Sequence, residues 1–400
     1  MNLLSKKLPH HMLPQKTVLL DKIPQTIGGK IDYKSLPMIE IKDREDISPR
    51  YQTELLVMQI WEEILDCSRI SIKDNFFDLG GHSIHALKLI KKLEETFNNK
   101  FHLSIVFENN TIEKLAAFIS NTTQTPNETS IIEIKHSKEP TVQFFFVHPA
   151  GGSAFCYYEL ARELPENYQF FAIQSNYIYN DDVSYESIES MATLYFDQII
   201  EEINENCLIV FGGWSMGGLI AFEMNELFIK KHPNINSSLI IIDNIISDKK
   251  ENKAKNKNFI LGFIRKIETI SGIKFCEDDW NKKTHLEQIK IALEFFKTAH
   301  IIPDNLSEVD FEKFLNIYEK HVIASEKYQL RESKLENVFI IKAKEQFQEI
   351  TDEYLGWGNF FRNKPLTTIV PGNHLTMMTK NNIKNISNEV EIWIKQISKI

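Results

Sequence analysis

From about residue 138 onward, short apolar blocks alternate with longer amphipathic ones. The runs "VQFFFVHP", "YQFFAIQS", "CLIVFGG", "SLIIIDN", "NVFIIKA" and "LTTIVPG" are apolar on both faces. A half-exposed strand would alternate, so these runs predict buried strands of a parallel sheet covered by helices. Between them, "SIESMATLYFDQIIEEI" sets Ile188, Met191, Ala192, Tyr195, Phe196 and Ile199 at helical spacing. Such strand–helix alternation predicts an α/β sheet. A long interruption, about residues 246–335, separates the fourth and fifth runs. It opens with the charged "SDKKENKAKNKN" and continues into "HLEQIKIALEFFKTA", where Leu286, Ile289, Leu293 and Phe296 share a face. This predicts a helical subdomain inserted above the sheet as a lid.

Residues 48–122 carry helical periodicity alone. Val57, Ile60, Trp61 and Ile64 form one stripe, and Ala86, Leu89, Ile90, Leu93 and Phe97 form a second beginning just after Ser83. A short third helix, "TIEKLAAFIS", opens on Thr-x-x-Lys rather than a capping box. A small helical bundle is expected here. Residues 123–137, with the polar, Pro-containing "NTTQTPNETS" across their start, are expected to be a linker, and 138–400 the α/β domain. Residues 1–40 hold a turn-rich "TVLLDKIPQTIGGKIDYKSLP", too short to bury a core of its own.

Composition narrows the class. The 400 residues are 42% hydrophobic and 25% charged with net charge −9, globular values without the basic face that nucleic-acid binding needs. No run approaches 18 apolar residues, and the N-terminus has no apolar signal core, so a soluble cytoplasmic protein is expected. The four cysteines, Cys67, Cys156, Cys207 and Cys276, lack metal-like spacing and suit a reducing compartment; no metal site is expected.

The chemistry concentrates at "FGGWSMGG". Gly-Trp-Ser-Met-Gly follows an apolar run and precedes a helical one, so Ser215 is expected on a sharp strand–helix turn at the sheet's C-terminal edge. The N–H of Met216 would then face an oxyanion, and the loop in "FFFVHPAGG" offers a second donor at Ala150. His148 in that loop is read as loop structure. A serine nucleophile needs a base and an orienting acid. His374, in the loop after the last strand, is the expected base. Asp243 ends "SLIIID" and is the favoured acid, with Glu345 and Asp352 one strand later as alternatives. Ser, Asp, His is the chain order of α/β-hydrolases.

Together, "VHPAGG", "GWSMGG", "IIIDN" and "VPGNHLTMM" resemble the thioesterase domain that ends non-ribosomal peptide synthetases. The resemblance implies Ser215 as acyl-enzyme nucleophile, His374 as general base, Asp243 as orienting acid and amide donors at Ala150 and Met216, with a helical lid in the long insertion. "DNFFDLGGHSIHALKL" resembles the peptidyl carrier (thiolation) domain, which implies a covalent 4′-phosphopantetheine on Ser83. A phosphodiester suits that place, since a helix N-terminus presents free N–H groups and positive potential. Ile84 and Leu87 lie off the core stripe, on a face open to partner domains. "IPQTIGGKIDYKSLP" resembles the end of an adenylation domain, with Lys30 at the position of its lysine, but the rest of that domain is absent from the sequence. The implied architecture is a four-helix-type carrier bundle followed by an α/β-hydrolase domain. The implied function is chain release, by hydrolysis or cyclisation, of an acyl or peptidyl group carried on Ser83. The alternatives are an editing thioesterase, or a carrier and interaction module with an inactive hydrolase. The implied partners are a phosphopantetheinyl transferase with CoA, and upstream synthetase modules or adenylation and condensation domains.

Overall fold

The structure is a computed structural model. It describes residues 46–81, 83–101, 104–122, 130–175, 187–246, 259–276, 279–299, 302, 306, 308–346 and 352–398. The adenylation-like segment 1–40, with Lys30, lies outside the described residues. The chain divides into two compact units, Met1–Pro126 and Asn127–Ile400.

In the first unit, helices α1 (Gln52–Leu65), α2 (Ser83–Phe97), α3 (Ser104–Glu108) and α4 (Ile112–Thr122) form the expected small bundle. Val57, Ile60 and Trp61 of α1 and Ala86, Leu89, Leu93 and Phe97 of α2 are buried, as their spacing requires. Phe76 closes the core from the loop before α2, edge-on to Trp61 with ring centroids 4.9 Å apart. The Thr-x-x-Lys start of α4 works as a cap after all: the Thr111 hydroxyl accepts the Lys114 N–H at 3.3 Å.

The second unit is built on a seven-stranded sheet of order β1-β3-β2-β4-β5-β6-β7. The six predicted runs supply β2 (Val142–Val147), β3 (Tyr168–Ile173), β4 (Leu208–Trp214), β5 (Ser237–Ile242), β6 (Val338–Glu345) and β7 (Leu366–Asn373). These six run parallel. The seventh strand, β1 (Ile131–Lys135), lies in the segment read as linker and pairs antiparallel with β3 at the sheet edge. Register stacks aromatics on both faces. Phe144 lies against Phe170 at 5.5 Å on one side, and Phe145 against Phe171 at 5.1 Å and Phe211 at 5.8 Å on the other.

Helices α5 (Tyr158–Glu163), α6 (Ile188–Ile199), α7 (Gly217–Lys231) and α11 (Lys380–Ile397) accompany the sheet. All six predicted apolar positions of α6 are buried. The interruption between β5 and β6 carries α8 (Phe259–Ser271), α9 (His285–Thr298) and α10 (Glu308–Lys327), the predicted helical insertion. These helices share a separate core that includes Phe263, Trp280, Phe296, Phe311 and Leu315. On α9 the buried face is Ile289, Ala292, Leu293, Phe295 and Phe296, while Leu286 is exposed, against expectation. At 3.6 residues per turn, Leu286 and Phe295 lie roughly 90° to either side of that face. Phe275 covers Phe295 edge-on at 5.2 Å, which settles which flank is buried.

Helix α10 belongs to both cores, with Phe311 and Leu315 in the inserted cluster and Ala324 in the main one. The chain just after it is tied to α7. Buried Glu223 accepts two bonds from Arg331, at 2.7 and 2.6 Å, and one from the Tyr328 hydroxyl. Glu223→Ala should cost about 2 kcal/mol in chemical denaturation, less than a fully buried pair because Arg331 is half-exposed. Among the described residues, no helix is long and apolar enough to cross a membrane.

Candidate active site

The C-terminal ends of β4, β5 and β7 lead directly into Ser215, Asp243 and His374, the edge where open α/β sheets place their ligands. Ser215 follows β4 with φ +56°, a left-handed conformation unusual for a side chain-bearing residue. The elbow is held because the ladder continues through it: the Ser215 N–H donates to the Ile242 carbonyl at 2.9 Å. Its two glycines answer to close approach. A Cβ on Gly213 would lie 2.2 Å from the Gly217 carbonyl carbon, and one on Gly217 would lie 2.2 Å from the Val147 carbonyl oxygen. The Tyr157 hydroxyl braces the same corner, donating to the Val147 carbonyl and accepting the Trp214 N–H, each at 2.7 Å.

Asp243 is also left-handed, at φ +47°, and its N–H bonds the Ile341 carbonyl at 2.8 Å. Its Oδ2 lies 2.8 Å from His374 Nδ1. Its Oδ1 accepts the Ala343 N–H at 2.9 Å and Gln346 Nε2 at 3.0 Å. Burial pushes the carboxyl up, but the bonds from His374, the Ala343 N–H and Gln346 outweigh it, and its pKa lies below the usual carboxylate value. Of the three carboxylates weighed from sequence, the other two are engaged elsewhere or exposed. Asp352 accepts the N–H groups of Tyr354 and Gly356 in a turn, and Glu345 is exposed at the end of β6. Gln346 went unnoticed in the sequence, where a lone glutamine after a strand carries no signal.

The His374 loop is shaped by its neighbours. Gly372 takes φ +94°, and the Asn373 side chain accepts the N–H groups of Leu375 and Thr376, both at 3.0 Å. The His374 ring packs on Trp214, the residue before Ser215, with centroids 5.2 Å apart. Among the described residues no hydrogen bond joins the Ser215 hydroxyl to the ring; in enzymes of this kind that contact tightens in the substrate complex. With Nδ1 given to the carboxylate, Nε2 is the nitrogen left to act as a base.

Ala150 and Met216 are buried, and among the described residues neither N–H has a hydrogen-bond acceptor. Met216 immediately precedes α7, so its N–H lies at the positive end of that helix.

Ser83 is the first residue of α2 in the other unit. The approach uses two glycines: Gly80 at φ +95°, and Gly81, where a Cβ would lie 2.5 Å from the Phe76 ring and carbonyl. The first turn of α2 contains no acidic residue, so the positive potential of a helix N-terminus is not opposed by a carboxylate within it. A phosphodiester fits this terminus.

The chain matches the family description "Thioesterase domain" over residues 142–394 and "Phosphopantetheine attachment site" over residues 56–119. It is 34% identical to indigoidine synthase of Dickeya dadantii (strain 3937) over 220 residues, which is 54% of this chain and 14% of that protein. It is 30% identical to gramicidin S synthase 2 of Brevibacillus brevis over 296 residues, 66% of this chain and 6% of that one. The chain thus spans less than a sixth of either relative. Among solved structures, a four-domain non-ribosomal peptide synthetase in its holo form, bound to AMP and glycine, superposes with a TM-score of 0.72. That match has 26% identity and covers 93% of this chain and 28% of the other. A helical unit that takes covalent phosphopantetheine is therefore followed by an α/β-type hydrolase unit, and the chain belongs to the thioesterase-domain family, in the carrier-plus-thioesterase form that terminates non-ribosomal peptide synthetases.

Proposed function

We propose that this chain releases an acyl or peptidyl group from its own carrier, with Ser215 as nucleophile, His374 as general base, Asp243 as orienting acid and the Ala150 and Met216 N–H groups as the oxyanion hole. The domain division that accompanies this reading is 48–122 for the carrier and the sheet-bearing unit, now extended to include β1, for the thioesterase. Ser83 is the attachment residue. When attached there, 4′-phosphopantetheine supplies a terminal thiol that carries the substrate as a thioester.

The chain's own residues do the rest. Ser215 Oγ attacks the substrate carbonyl while His374 Nε2 takes its proton, and the developing oxyanion meets the two N–H groups. As the carbon–sulfur bond breaks, His374 returns the proton to the departing sulfur, leaving the acyl group esterified to Ser215. Water, or an amine or hydroxyl of the chain itself, then attacks the ester with His374 again as base, and the final proton restores the Ser215 hydroxyl. Water gives a free acid; an internal nucleophile gives a ring.

One observation carries the catalytic assignment. The buried Asp243 carboxylate holds His374 Nδ1 at 2.8 Å while its second oxygen is fully engaged by Ala343 and Gln346. That arrangement has a single consequence: it fixes the imidazole tautomer. Asp243→Asn presents an amide that can turn its N–H toward Nδ1 and force the proton to Nε2. The kcat on a soluble acyl thioester should fall roughly 10³- to 10⁴-fold while folding is retained. A rate within tenfold of wild type would remove Asp243 from the mechanism. Carrier and hydrolase in one chain favour release over editing, because the substrate-bearing thiol is tethered to the enzyme that unloads it. On this reading, a phosphopantetheinyl transferase with CoA modifies Ser83, and upstream synthetase modules supply the chain.

A further inference from the structure

Two buried histidines lie behind the loop that offers the Ala150 N–H, and the mechanism above uses neither. His148 is fully buried; its Nδ1 lies 2.8 Å from the Pro149 carbonyl and its Nε2 2.9 Å from the Tyr195 hydroxyl. His321, on α10 and also buried, places Nδ1 2.8 Å from the Ala150 carbonyl and Nε2 3.2 Å from the Ser175 hydroxyl. The two rings stack with centroids 4.8 Å apart.

Chemistry assigns the protons. A carbonyl only accepts, so Nδ1 donates in both rings, and each Nε2 accepts a hydrogen bond from a hydroxyl. Burial, and for His148 the neighbouring His321, holds the first ring neutral well below the ordinary histidine value, and burial moves His321 down to about 4. Both rings therefore sit as neutral Nδ1–H donors; at a 4.8 Å stack two imidazolium charges would repel.

Each donor grips a different peptide plane. The Pro149 carbonyl and the Ala150 N–H belong to one rigid plane and point in opposite directions. Fixing the oxygen, here by His148 and by the Gly152 N–H at 2.9 Å, fixes the direction of the N–H and polarises it. His321 grips the next plane through the Ala150 carbonyl, so both backbone torsions of Ala150 are pinned. The packing agrees: a Cβ on Gly151 would meet Phe314 at 3.1 Å, and one on Gly152 would meet Ile317 at 3.0 Å, both on α10.

We infer that His148 and His321 are positioning residues of the oxyanion hole: as neutral Nδ1 donors they clamp the two peptide planes around Ala150, and through His321 the inserted helix α10 becomes part of the catalytic frame. The inference rests on the proposed role of the Ala150 N–H and of Ser215.

Asparagine places an N–H where Nδ1 stood, and glutamine reaches toward the Nε2 position, so the two amides separate the clamp from mere bulk. In the full chain, with a short acyl N-acetylcysteamine thioester as substrate, His148→Gln and His321→Gln should each lower kcat roughly 10- to 100-fold with KM held within about twofold. His148→Asn and His321→Asn should keep kcat within about fivefold of wild type. Tyr195→Phe, which strips the hydroxyl bonded to His148 Nε2 and so loosens the ring's hold on the Pro149 carbonyl, should lower kcat about tenfold, and it decides the matter if a glutamine variant does not fold. Equal kcat for the Asn and Gln variants, or an unchanged kcat in Tyr195→Phe, overturns the inference. Ser215→Ala in the same assay separates the two levels. If it turns over like wild type, the proposed chemistry fails; if it is inert while the clamp variants behave alike, only the clamp fails.

Discussion

Ser215→Ala should lower kcat/KM for a soluble acyl thioester by on the order of 10⁴-fold or more, with the fold intact. The size follows from what the substitution removes. No acyl-enzyme ester can form, so the base and the oxyanion donors are left to assist only direct attack by water. That residual assistance explains why the rate should stay above the uncatalysed one. The fold should survive because the backbone of the elbow is held by the Ser215 N–H to Ile242 carbonyl bond and by the packing of Gly213 and Gly217, none of which involves the hydroxyl. The left-handed φ of +56° is as costly for alanine as for serine, so stability should change by less than about 1 kcal/mol. Steady-state kinetics beside thermal unfolding checks both parts.

The second large effect belongs to the other serine. Incubated with CoA and a promiscuous phosphopantetheinyl transferase, the wild-type chain should gain one phosphopantetheine by intact mass, and Ser83→Ala should gain none. The same variant should hydrolyse a soluble thioester at the wild-type rate, because in the proposed mechanism Ser83 only holds substrate and takes no part in bond breaking. Loss of the soluble activity in Ser83→Ala would mean that the two serines do not divide the work in this way. Modification of the variant at another position would move the attachment site away from the start of α2.

Much of this was legible in the residues, and the boundary of legibility has a physical basis. The six parallel strands announce themselves because strands buried on both faces must be apolar throughout, and α6 because six side chains at one spacing meet one core. The elbow is legible because its glycines answer to local collisions: Gly213 and Gly217 approach each other across four residues of chain. The strand β1 escaped because it is a five-residue edge strand beside a polar stretch, although "IIEIK" does alternate and buries Ile132 and Ile134. What the sequence hides are contacts between distant segments. His321 meets Ala150 across 171 residues, Glu223 meets Arg331 across 108, and Gln346 meets Asp243 across 103. No periodicity encodes such pairs, and His148, whose hydrogen bonds go to Pro149 and Tyr195, reads locally as an ordinary loop histidine.

The candidate site follows the same division. Asp243 and His374 were nameable because each ends or follows a strand, and strand ends are where an α/β sheet exposes reactive groups. The choice of Asp243 over Glu345 and Asp352 as the residue touching His374 needed coordinates, since it depends on which strand end the His374 loop reaches. The inserted helices, expected from sequence only as a cover, also touch the sheet's loops. Through α10 they bear on the loop that carries Ala150.

In the proposed mechanism a group held on Ser83 passes to Ser215 before it leaves the protein. Intact-protein and peptide mass spectrometry on the phosphopantetheinylated chain, loaded with one model acyl group and followed over time, tests this transfer. The acyl group should leave the wild type by way of an ester on the peptide containing Ser215, and remain on the Ser83 arm in Ser215→Ala. Equal loss of the acyl group from both proteins would contradict it.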